Sequence, residues 1–264
     1  MRPMFARISF ERTDRKQTSH VQIAGRLAEF LVGHEEYMDK FFRLLRHTPN
    51  KVCFGDGKKK FMTDAVEPHL KYFRTKRSKS QVDEDYISLI EKAMEVCKNV
   101  DDINELRGLI PEHILEYIYK QAELPAKIWV HKMGCVVSID SKPVRCANPE
   151  DRYDTRQTVD FGCWNCEQQH GIFIEAKVAP DSFGKLDALY LNELRKRLEA
   201  ANLGGQHGEY LIFLFAIDSK EYVKEKARQA GLEMNERVGV MGTEGLPFAS
   251  EFYVQLTDWT GRVS

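Results

Sequence analysis

The chain has 264 residues, 42% hydrophobic and 30% charged, the balance of a globular protein long enough to bury one large core or two small ones. No apolar run is long enough to span a membrane, and residues 1–10 lack the apolar core and cleavage site of a signal peptide; no membrane partner is expected, and the cytoplasm is the expected location. The net charge of −1 hides an asymmetry, with 18 Lys and Arg against 9 Asp and Glu in residues 1–80, and 21 against 31 in residues 81–264. A basic part joined to an acidic part suits polyanion binding beside metal binding, or two oppositely charged surfaces that attract each other.

Residues 20–47 carry Val21, Ala24, Leu27, Leu31, Met38, Phe41, Leu44 and Leu45 at helical intervals, with Gly33 as a break between two helices. Residues 51–60, with Gly55, Gly57 and Lys58, Lys59 and Lys60, read as an exposed basic loop. Lys71, Arg74, Lys76, Arg77 and Lys79 form a second basic stretch around Tyr72 and Phe73, suited to holding phosphates and stacking on bases. A helix is predicted over 83–98, and another over 102–122 with a break at Gly108 and a fresh start at Pro111, where a missing N–H costs nothing.

Residues 128–139 read as a strand, and 140–156 as a polar loop in which Asp151, Arg152, Asp154 and Arg156 are solvated. Strands are predicted at 158–164 and 171–179, joined by a turn over 165–170 that leaves His170 exposed. An amphipathic helix follows at 182–201, a fully apolar strand at 210–217, a helix at 219–231 and one or two strands within 238–256. The expected fold class is α/β, a mixed sheet flanked by helices. The expected division is a basic helical module for substrate or partner binding in residues 1–98, then the sheet domain in 99–264.

The chemistry concentrates in residues 157–180, QTVDFGCWNCEQQHGIFIEAKVAP. In the second predicted strand Ile172, Ile174, Ala176 and Val178 share one face, and Phe173, Glu175 and Lys177 the other. Glu175 and Lys177 are two residues apart, so their Cα atoms lie about 6.6 Å apart on one side of a strand. Burying such a pair costs several kcal/mol unless its members are paired or bind something. In the preceding strand Val159, Phe161 and Cys163 alternate inward while Asp160 faces away, and hairpin pairing sets Asp160 beside Glu175. Two adjacent carboxylates resist ionising together, and a divalent cation relieves this.

An Asp, a loop, and then Glu-x-Lys on the next strand resembles the PD-(D/E)xK nuclease superfamily, the restriction-endonuclease-like fold. The resemblance covers roughly residues 100–230 and implies a Mg²⁺- or Mn²⁺-dependent endonuclease. It implies Asp160, Glu175 and the main-chain carbonyl of Ala176 as metal ligands, and Lys177 as the group assisting water. It further implies a helical carboxylate: Glu112, with Glu116 and Glu105 behind it. The family favours DNA over RNA and serves restriction and anti-phage defence among other roles. Val159 stands where the family's proline would precede the Asp. The chain holds four other Asp-x-Lys tripeptides, starting at Asp14, Asp56, Asp140 and Asp218, but each lies in polar or turn sequence.

Other readings start from the same segment. A catalytically inactive relative would keep Glu175 and Lys177 as a structural ion pair and bind nucleic acid, a protein partner or a second copy of the chain. Cys163-x-x-Cys166, with Cys146 or Cys135, would be half of a zinc site in a binding module, although six cysteines in a cytosolic chain read first as free thiols. Trp129 and Trp259 read as packing residues.

Overall fold

The computed structural model describes residues 7–12, 18–46, 57–121, 128–151, 153, 155–201, 203 and 208–243. Asp14, Asp56, Asp154, Cys53 and Trp259 lie outside them. By compactness the chain forms two units: residues 15–117, and residues 1–14 together with 118–264. Residues 1–14 go with the sheet because β1 (Ile8–Arg12) pairs antiparallel with β2 (Trp129–Ile139), Ile8 opposite Ile139 and Arg12 opposite Cys135. Hydrogen bonding to a strand more than a hundred residues away has no local signature.

The helical unit contains α1 (Thr18–Gly33), α2 (Glu35–Arg46), α3 (Gly57–Phe61), a π-helical turn (Met62–Val66), α4 (Glu67–Arg74), α5 (Gln81–Val96) and most of α6 (Val100–Gln121). The chain does break after Gly33. Lys58, Lys59 and Lys60 are helical rather than looped, because Phe61 behind them is buried. Ser80 caps α5 by accepting from the Asp83 N–H at 3.1 Å, and the Asp83 carboxylate accepts from the Ser80 N–H at 3.1 Å. α6 runs unbroken through Pro111. An internal proline costs about 3 kcal/mol, but Ile103, Leu106, Leu109, Ile110, Ile114, Leu115 and Ile118 are all buried along the helix. Each contributes roughly 1.5–3 kcal/mol, so the apolar stripe outweighs the lost hydrogen bond.

The other unit is built on a mixed seven-stranded sheet in the order β1-β2-β6-β7-β8-β9, with β3 (Lys142–Pro143) also on β2. β6 (Thr158–Asn165) and β7 (His170–Lys177) form an antiparallel hairpin with Phe161 opposite Ile174 and Asn165 opposite His170. The Asn165 side-chain oxygen accepts from the N–H groups of Glu167 and Gln168, which shapes the turn. α7 (Lys185–Ala200) carries the chain back to β8 (Glu209–Ala216), which pairs parallel with β7. α8 (Lys220–Gln229) leads to β9 (Val238–Met241), parallel to β8. A separate two-stranded ribbon joins β4 (Cys146–Ala147) to β5 (Thr155–Arg156). None of the described helices is long and apolar enough to cross a membrane.

Phe173, Ile212, Leu214, Val238 and Val240 share one core with Ala188, Leu191, Leu194 and Leu198 of α7 and Val223 and Ala227 of α8. Val159 belongs to this core and Phe161 does not, so the simple inward alternation expected of 159, 161 and 163 fails. The ladder pairs Met133 with Phe161 and Cys135 with Val159, and skips Gly134 and Asp160 between them. Gly134 sits at φ 48°, a conformation that glycine adopts without steric cost. The facing sense of both strands changes there.

Gly171, opposite Trp164, has no room for a side chain: an added Cβ would run into the Cys163 carbonyl and come within 2.6 Å of the Trp164 ring. Gly171→Ala is expected to lower stability by about 2–3 kcal/mol through overpacking, read as a shift of the urea midpoint. A midpoint within error of the unsubstituted chain would contradict this packing.

Candidate functional site

β7 is flanked by β6 on one side and β8 on the other, so its middle residues are shut off from water along both edges. Glu175 is 0% exposed. The ladder's last pair is Phe161 with Ile174, which sets Asp160 one step on, opposite Glu175. Released from the ladder, Asp160 turns its carboxylate along the neighbouring strand and Oδ2 accepts from the Ala176 N–H at 2.8 Å. It thus replaces a strand-to-strand hydrogen bond with a charge-assisted one.

Two cations meet Glu175. Lys177 Nζ lies 2.6 Å from its Oε1, and the Arg156 guanidinium contacts the same oxygen. Both cations also contact Asp187, Lys177 at 3.4 Å and Arg156 closer. Asp187 stands in the first turn of α7, where its Oδ2 accepts from the Gly184 N–H at 2.7 Å and a carboxylate is favoured by the helix dipole. Three carboxylates and two cations therefore converge from four elements.

Burial pushes the Glu175 carboxyl up to about 8, the charge of Asp160 adds to that push, and Lys177 and Arg156 oppose it. Burial alone would lower the Lys177 ammonium, but Glu175, Asp187 and Asp160 outweigh it and hold it above its usual value. The same balance raises Arg156 against its own burial, with Glu175 the largest of the carboxylate contributions. Glu175 Oε2 is buried with no hydrogen-bond partner among the described residues.

The structure thus brings Asp160, Glu175, Ala176 and Lys177 together. Glu112 is buried on α6 in the helical unit. Sequence reasoning missed Arg156 and Asp187. Arg156 is not solvated, because the β4–β5 ribbon folds it against Glu175 and Asp187. The only local sign of Asp187 was its place at the start of a helix, and nothing local pointed to Arg156.

Of the decoy tripeptides, Asp140 lies in a turn at φ 50° with its Oδ1 accepting from the Arg7 N–H, and Asp218 follows β8 in a bend. His170 is buried rather than exposed, packed edge-on against Trp129 at 5.1 Å, and burial lowers its imidazole below the usual value. Cys163 is buried with its thiol pushed up to about 12 by that burial, Cys166 is exposed, and among the described residues no cysteine joins a cluster that could hold a metal. In the basic stretch of the helical unit, Phe73 is fully buried against Tyr86 at 4.8 Å and is closed to stacking on a base, whereas Tyr72 is 53% exposed. Arg74, Lys76 and Lys79 are paired with Glu91, Asp83 and Glu84, so much of that charge is already answered within the unit.

In comparison with known proteins, the chain matches no family model and no curated protein.

Glu175 is a carboxyl whose folded value lies above its unfolded one. The stability tied to its protonated form is therefore complete below 4.5 and is lost as pH rises through about 8. Removing Arg156 takes away a cation that supports the ionised form. Arg156→Met is expected to cost roughly 3 kcal/mol at about pH 8 and clearly less at about pH 5, measured by urea denaturation at both values. An equal loss at the two pH values would refute the coupling.

Proposed function

We propose that the chain is a metal-dependent nuclease of the PD-(D/E)xK type, hydrolysing phosphodiester bonds, with DNA favoured over RNA as substrate. The observation that carries this reading is a fully buried carboxylate, Glu175, on a central strand, with Asp160 on the adjoining strand and Lys177 two residues further on. The order of elements supports it: a helix, three antiparallel strands (β2, β6 and β7), a crossover helix and a fourth strand parallel to the third follow one another in the order that the resemblance leads one to expect.

The residues fit a divalent cation. Carboxylate oxygens are hard donors suited to Mg²⁺ or Mn²⁺, and one of them, Glu175 Oε2, is buried without a hydrogen-bond partner among the described residues. Asp160, Glu175 and the Ala176 carbonyl would hold the ion. A bound ion of this kind lowers the pKa of a coordinated water and offsets charge on a phosphate. Lys177, held protonated by its carboxylate neighbours, acts as a donor rather than a base, orienting water and stabilising negative charge as it develops on phosphate oxygens. Arg156 places a second positive charge against Glu175, which favours the approach of a polyanion to an acidic centre.

A second reading rests on Arg156 itself. Because Arg156 and Lys177 both contact Glu175 and Asp187, the cluster can serve as a structural ion-pair network in a protein that binds nucleic acid or a partner without cutting.

Incubation with plasmid, single-stranded DNA and RNA, each with and without Mg²⁺ or Mn²⁺, tests the first reading. Metal-dependent cleavage is expected, and Asp160→Ala or Lys177→Ala should reduce its rate by about 10²-fold or more. Cleavage that survives either substitution sinks the assignment. Calorimetry with Mn²⁺ separates the two readings, since the structural network predicts no binding heat that Glu175→Ala abolishes.

A further inference from the structure

His20 lies in the first turn of α1 and is 0% exposed, yet neither ring nitrogen has a hydrogen-bond partner among the described residues. A buried polar group left so costs free energy and calls for a ligand. Its Nδ1 points at a carboxylate, 3.3 Å from Glu105 Oε2, outside hydrogen-bonding geometry. Asp102, one helical turn before Glu105 on α6, completes a group whose ligand atoms all lie within 4.8 Å of one another. The helix end holds this carboxylate in place: Asp102 Oδ2 accepts from the Lys98 N–H at 2.6 Å, and the Asp102 N–H donates to Asn99 Oδ1 at 2.9 Å.

We propose that His20, Asp102 and Glu105 form a second metal site, inside the helical unit and independent of the nuclease reading, that takes Zn²⁺. Metal–ligand bonds of about 2.0–2.2 Å around a tetrahedral centre place ligand atoms roughly 3.3–3.6 Å apart, and His20 Nδ1 lies 3.3 Å from Glu105 Oε2. One imidazole nitrogen with two carboxylate oxygens suits a borderline cation, whereas Mg²⁺ prefers all-oxygen surroundings. Three protein ligands leave a fourth position for water. Since the ligands come from α1 and α6, the ion ties the first turn of α1 to the first two turns of α6, a stabilising role. Cys97, at the end of α5, is not among the ligand atoms that lie within 4.8 Å of one another and stands outside the ligand set.

The test uses the full chain carrying Asp160→Asn and Glu175→Gln, so that the other candidate centre cannot contribute. Titration with ZnCl2 is expected to show one equivalent bound and a rise in melting temperature at saturation, with no competition from an equal concentration of MgCl2. Adding Glu105→Gln, which keeps shape and loses charge, should weaken binding by at least about tenfold, as should His20→Ala. If His20→Ala fails to fold, Glu105→Gln still decides. Substitution with Co²⁺ should give visible d–d bands without a thiolate charge-transfer band. No uptake, uptake unchanged by Glu105→Gln, or a thiolate band would each overturn the site.

Discussion

The burial of one carboxylate governs the arrangement of the sheet unit. Glu175 sits on a strand with neighbours on both sides and a helix across its face, where an unpaired charge would cost many times what a surface ion pair returns. The two cations beside it offset that cost. Lys177 comes from the same strand, Arg156 from a two-residue strand outside the main sheet, and Asp187 from the first turn of α7, holding both cations in place. The ribbon β4–β5 thereby acquires a purpose: pairing Arg156 with Cys146 fixes the chain that delivers a guanidinium to Glu175.

The break in the ladder at Asp160 belongs to the same arrangement. A regular strand would occupy the Ala176 N–H with a backbone carbonyl and leave Asp160 as one more residue of the pleat. The skipped pair opposite Gly134, whose φ of 48° few other residues adopt without strain, lets the carboxylate bond to the backbone beside Glu175. Irregular backbone at this point is therefore what sets two carboxylates against each other, and their mutual repulsion is part of why Glu175 holds its proton so far above the usual range.

The helical unit solves a different problem. Its length of α6 is secured by an apolar stripe strong enough to carry Pro111 through the middle of the helix, and its aromatic cluster buries Phe73 where an exposed stacking residue was expected. Basic residues that look available in sequence are taken up by Asp83, Glu84 and Glu91. The orphaned imidazole of His20 is the opposite case, a polar group for which the fold supplies charge nearby but no hydrogen bond.

Sequence alone determined what depends on local period and composition. Apolar alternation located β6 and β7, helical spacing located α1, α2 and α5, and the presence of charge inside an apolar strand singled out Glu175 and Lys177 over four similar tripeptides. It could also pair Asp160 with Glu175, because a hairpin's short turn leaves little freedom in register. Only the tertiary structure decided the remainder. Arg156 and Asp187 are 19 and 12 residues from Glu175 along the chain, and β1 joins its partner across more than a hundred. No periodicity links such positions, since their contacts arise from packing between elements. The same is true of Val159, whose side changes because of a glycine on another strand, and of His170 and Phe73, whose burial depends on what covers them.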